Sequence, residues 1–118
     1  MRTFIGLIAI TLLVLASNAS ELPDECFTTL VEGSDCEWYA KCLEAKYHCG
    51  AKGYPLGYGQ VYCHKFSNFN SLLLVKDWVQ KTTACLKQRL VPYLYDNVEM
   101  TCRKLKQTAF ASHPQCYD

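Results

Sequence analysis

The sequence predicts an all-α domain: a small array of about four helices, cross-linked by up to four disulfides and carrying one Gly/Tyr-rich loop. Three observations lead there. Apolar residues recur at helical spacing over most of the chain beyond residue 34. The β-prone patches, Val61-Tyr62 and residues 91–95, do not alternate over enough residues for a strand. Eight cysteines, Cys26, Cys36, Cys42, Cys49, Cys63, Cys85, Cys102 and Cys116, all lie downstream of an apolar leader, so they are expected to meet an oxidising compartment and pair.

The leader comes first. Met1-Arg2 gives a short positive start and residues 4–16 are almost wholly apolar. Ser17-Asn18-Ala19 then offers small residues for cleavage, which predicts a signal peptide over residues 1–19 and a single disulfide-rich helical domain over residues 20–118. The apolar run is too short for a bilayer, which requires roughly 20 residues, and no later stretch approaches that length. The expected location is therefore secreted and extracellular, with no transmembrane segment. Without Arg2 the chain balances 11 basic against 11 acidic side chains. A neutral protein has no field to draw in nucleic acid, so no nucleic-acid partner is expected. Arg103-Lys104 and Lys106 form the one local basic cluster, read as a solvated helix face.

Ser34-Asp35-Cys36-Glu37 has the form of a capping box, with Ser34 capping and Glu37 reaching back. Cys36, Tyr39, Ala40, Leu43 and Tyr47 share one face of the helix that follows, and Gly50 is placed to end it. Residues 50–59 hold four glycines and one proline, a density of breakers that predicts a turn-rich loop. Tyr58, Tyr62, Phe66 and Phe69 then form an aromatic stripe at helical spacing, expected in the core. A long amphipathic helix begins near Ser71, with Val75, Trp78, Val79, Thr82, Cys85, Leu86 and Leu90 inward, and Pro92 ends or kinks it. Asp96 and Glu99 are the expected cap of a last helix that faces Val98, Cys102, Leu105 and Ala109 inward. Ser112-His113-Pro114 closes it, and Cys116 ties down the tail.

The chemistry these residues could carry is limited. The tightest cysteine spacing, Cys36 to Cys42, is too wide for Cys-x2-Cys zinc or redox motifs, so neither metal nor cofactor is expected. His48, His64 and His113 fall in separate segments, and no Gly-x-Ser-x-Gly elbow occurs. Asp35, Glu37 and Glu44 are read as helix-start acids and not as a catalytic pair. The Gly/Tyr-rich loop followed by Cys63-His64 is superficially similar to the calcium loop and histidine helix of secreted phospholipases A2. Lys65, however, stands where that chemistry needs an Asp. No catalytic residue is assigned.

From Cys63 onward the chain resembles stanniocalcin, a secreted disulfide-bonded helical hormone. The resemblance is carried by Cys63-x-x-Phe66, Phe69, Lys76-x-Trp78-Val79, Cys85, Cys102 and Cys116-Tyr117. It implies an all-α fold and a non-catalytic extracellular ligand or inhibitor. The expected function is a secreted, non-enzymatic binding protein, a ligand, toxin-like or regulatory factor whose partner is an extracellular protein or surface. An extracellular matrix, shell-matrix or host-defence component is the alternative, and a small hydrolase comes third. Tyr54, Leu56 and Tyr58 on the Gly/Tyr loop are the candidate binding surface, because an exposed tyrosine gives much contact area for little entropy. Core filling by the same tyrosines is the competing role.

Overall fold

The computed structural model describes residues 22–68 and 73–117. The expected signal peptide and Phe69 lie outside them. A one-turn 3-10 helix, Asp24–Phe27, leads into α1, which is π-helical over Tyr39–Glu44 and continues as Ala45–Tyr47. Then come α2, a π-helical turn Pro55–Gly59 running into Gln60–Asn68, and α3, Leu73–Gln88. A 3-10 turn, Val91–Leu94, precedes α4, Cys102–Ser112, and a short tail helix α5, Pro114–Tyr117. The fold is all-helical, and the described residues contain no strand.

Local chemistry explains most of these boundaries. At the start of α1 the Asp35 carboxylate, not Ser34, does the capping: its Oδ1 accepts from the Glu37 N–H at 2.9 Å. At the other end Glu44 folds back to accept from the N–H groups of Cys49 and Gly50, at 3.2 and 2.8 Å. The chain leaves α1 through two left-handed residues, His48 at φ 51° and Gly50 at φ 85°. Thr101, rather than Asp96, caps α4, accepting from the Lys104 N–H at 3.0 Å. Pro92 sits in the first turn of the 3-10 segment, where its missing N–H leaves no bond unmade.

The turn-rich loop expected over residues 50–59 is confined to its first part: residues 55–59 are helical, and among residues 50–59 only Gly50 has a positive φ. Gly53 donates to Gly50 and Gly57 donates to Gly53, so the backbone is already turning into a helix before Pro55 has ended its first turn. The remaining glycines serve close packing. A Cβ on Gly59 would lie 2.4 Å from the Tyr39 ring, and one on Gly57 would lie 2.9 Å from the Ala51 carbonyl.

Four disulfides tie these elements together, and none of the cysteines is free. Cys26–Cys42 fastens the first turn to α1, and Cys36–Cys63 fastens the start of α1 to α2. Cys49–Cys102 joins the end of α1 to the start of α4, and Cys85–Cys116 joins α3 to α5. Inside this frame Trp38, Tyr39, Leu43, Leu90, Leu94 and Leu105 are fully buried. The Trp38 indole N–H is satisfied by the Cys26 carbonyl at 2.9 Å.

Two lysines act as internal fasteners. Lys46 Nζ donates to the carbonyls of Tyr93, Tyr95 and Val98, holding the segment between α3 and α4 against α1. Lys87 is buried on α3 and donates to the carbonyls of Leu30 and Asp35, both at 2.8 Å. Burial pushes its ammonium down to about 8, with Asp35 opposing the shift. An amine with a lower pKa folded than unfolded is penalised while charged, so stability should rise as pH climbs from about 8 towards 10.5. Side-chain nitrogen NMR should find Lys87 titrating near 8, and unfolding free energy should increase between about pH 8 and 9.5, below the tyrosine range. Lys87→Met should abolish that rise and cost about 2 kcal/mol by orphaning the buried Leu30 carbonyl. A Lys87 titration above 10 would contradict the burial.

Candidate functional site

An aromatic pocket of about 200 Å³ opens between α2, α3, α4 and α5. Helix α2 supplies one wall through Tyr58, Tyr62 and Phe66, successive turns of one face. Helix α4 supplies Phe110 and the residue after its end supplies His113, while Tyr117 comes from α5. Thr83 and Leu86 of α3 close the back. The floor is Tyr39 and Tyr54, both fully buried. Gly59 admits the Tyr39 ring here, because any side chain at 59 would occupy the same space. Cys36–Cys63 and Cys85–Cys116 anchor both sides, so the cavity is framed by crosslinks.

Tyr54 is the hub of the site. Its ring lies parallel to Tyr58 at 6.4 Å and edge-on to Phe110 at 5.6 Å, while Tyr58 and Phe110 meet edge-on at 5.4 Å. Such pairs each contribute about 0.5–1.5 kcal/mol beyond their buried area, so the wall is stiff. The Tyr54 hydroxyl is 3.0 Å from His113 Nε2, and Tyr117 Oη is 3.4 Å from His113 Nδ1. Burial holds the His113 imidazole below the usual histidine range, so it is neutral at physiological pH. Burial raises Tyr39 and Tyr54 well above the ordinary phenol value, with Tyr117 adding to the shift at both and Tyr39 opposing it at Tyr54. The polar groups of this pocket are thus neutral hydrogen-bonding groups.

The expected surface residues separate. Tyr54 is 1% exposed and belongs to the core, because α2 starts early enough to turn it inward. Tyr58 is half-buried and lines the pocket; Leu56 is half-buried and lies outside the lining. The aromatic stripe is a pocket wall and not core: Tyr62 is 49% exposed, and Phe66 is half-buried against Trp78. Trp78, expected inward, is 40% exposed and stacks on Tyr117 at the mouth. His48 and His64 are exposed and apart from the site. Asp35 and Glu44 are occupied as helix-end caps.

The chain matches no family model, no curated protein and no solved structure. Its function must therefore be argued from the pocket. No group of three His, Cys, Asp or Glu that could hold a metal occurs among the described residues, and no described helix is long and apolar enough to cross a membrane. A second depression of about 520 Å³ lies between α4 and the segment after α3, but it is shallow and lined by Arg89, Tyr93, Lys104, Gln107 and their neighbours.

Tyr39, Phe110, His113 and Tyr117, which complete the pocket, are not legible in the sequence as one group. Lys106, Phe110, His113 and Tyr117 are spaced by four, three and four, a helical face visible in the sequence. Pro114 obscured it, because a proline reads as a stop. Here it opens α5 instead, with only one residue between the helices, so the face continues.

Proposed function

We propose that the protein is a secreted, non-enzymatic binding protein that takes up a small, largely apolar ligand in the aromatic pocket. The observation that carries this is the pocket itself: a cavity of about 200 Å³ with a rigid floor and half-exposed aromatic residues at its mouth. Surface aromatics of a small domain are ordinarily scattered, whereas Tyr62, Phe110 and Tyr117 line one opening and Trp78 stacks on Tyr117 next to it. Apolar walls with a few convergent polar groups are the usual form of a small-molecule site. Four disulfides with no free thiol fit folding in an oxidising compartment, and they suit a binding protein that must stay intact outside the cell. His113 sits between two tyrosine hydroxyls, an arrangement suited to orienting a ligand by hydrogen bonds.

Calorimetric titration with p-cresol, a neutral one-ring probe, should give one saturable site. Phe110→Ala removes edge-on contacts to Tyr54 and Tyr58 and should weaken binding by about tenfold. Tyr95→Ala, which alters an exposed aromatic stacked on Phe27 elsewhere, should leave it unchanged. Linear, non-saturating uptake, or equal sensitivity to both substitutions, would refute the site.

A further inference from the structure

We infer that the pocket's ligand is a small organic anion, with a single ring or short alkyl body in the aromatic interior and a carboxylate at the rim beside Lys106. This rests on the pocket being a ligand site and adds the chemistry of the ligand's head group. Size comes first: about 200 Å³ exceeds the roughly 150 Å³ apolar cavity that takes up benzene, leaving room for one ring and a short tail.

The polar groups along the rim supply the rest. The neutral His113 imidazole bridges the Tyr54 hydroxyl at Nε2 and the Tyr117 hydroxyl at Nδ1, so its own polar atoms are already partnered. Lys106 lies on the same α4 face as Phe110, one turn earlier. Its Nζ is 3.3 Å from the Tyr58 hydroxyl and 4.6 Å from the ring centroid. Because the Tyr58 oxygen is accepting, its own O–H remains to be donated. Two donors, the Tyr58 O–H and the Lys106 ammonium, therefore stand side by side at one edge, and no Asp or Glu lines the cavity among the described residues.

A carboxylate answers that set, offering two oxygens with several acceptor positions and a charge opposite to Lys106. Lys65, with Nζ 5.0 Å from the Tyr62 ring centroid, adds a second positive charge beside the same wall. Aromatic pockets also attract quaternary ammonium groups. Here the Tyr58 and Tyr62 rings already hold lysine ammonium groups, so an incoming cation would meet like charge.

The test uses the intact, disulfide-bonded protein and two probes with the same body, hydrocinnamate and hydrocinnamyl alcohol. Both should bind one saturable site, the carboxylate tighter by about tenfold at low salt and by less as salt is added. Lys106→Met should lower hydrocinnamate to the alcohol's affinity and leave the alcohol within about twofold. Lys104→Met, on the same helix but lining the other depression, should change neither. Equal affinity for the two probes, or equal weakening of both by Lys106→Met, would overturn the anionic head group while leaving the pocket as an apolar site. Failure of both probes to bind would overturn the pocket and the inference together.

Discussion

Removing the Cys49–Cys102 bridge by Cys49→Ala/Cys102→Ala should destabilise the domain by about 4 kcal/mol and lower its melting temperature by roughly 15–30 °C. This bridge spans 53 residues, the longest separation of the four, and loop-closure entropy grows with the logarithm of that span. The same relation gives about 3 kcal/mol for Cys26–Cys42, which spans 16 residues, before any loss of core packing is counted. Native-state consequences should concentrate where α1 meets α4. There the Lys46 bonds to the 93–98 carbonyls and the 2.6 Å bond from the Tyr47 hydroxyl to the Tyr93 carbonyl would have to hold the junction alone. Thermal unfolding followed by circular dichroism checks the magnitude. A loss below about 1 kcal/mol would mean that those bonds, rather than the crosslink, fix the junction.

Gly59→Ala should destabilise the protein by about 3 kcal/mol although alanine is the better helix former by about 1 kcal/mol. The added Cβ would lie 2.4 Å from Cδ1 and Cε1 of Tyr39, so either the ring or the α1–α2 spacing must shift. Tyr39 is packed at the pocket floor and edge-on to both Trp38 and Tyr54, which leaves its ring no easy rotation. Because the floor moves with it, ligand uptake should fall in parallel with stability. Gly50→Ala makes the useful contrast: its Cβ meets nothing, and the cost is only the left-handed backbone at φ 85°, about 1 kcal/mol. Chemical denaturation of the two variants distinguishes packing from conformation. A Gly59→Ala variant as stable as the parent would show that the two π-helical segments are not in close contact.

Much of this architecture was legible in the residues. Val79, Thr82 and Leu86 on α3, Leu90 just beyond its end, and Leu105 and Ala109 on α4 are buried as their spacing predicts, because an amphipathic face is a local pattern. The presence of disulfides was legible for the same reason, but their pairing was not: spacing along the chain says nothing about which helices lie side by side. Residues 53–59 misled because a glycine's role depends on its neighbour. What demands Gly59 is the Tyr39 ring, twenty residues earlier and on another helix. Lys46 and Lys87 look like any solvated helix lysine, and only the folded chain brings them to the carbonyls they hold. The aromatic stripe on α2 was visible as a stripe. Whether it faces core or cavity is decided by what stands opposite, and that is Phe110, His113 and Tyr117.

Whether this pocket holds the ligand is decided by proton NMR of the aromatic rings during titration with hydrocinnamate. Saturable shifts of Tyr58, Phe110, His113 and Tyr117 are expected, with the rings of Phe27, Tyr93 and Tyr95 unmoved. Shifts spread over both groups, or centred on the second, would contradict binding in the pocket.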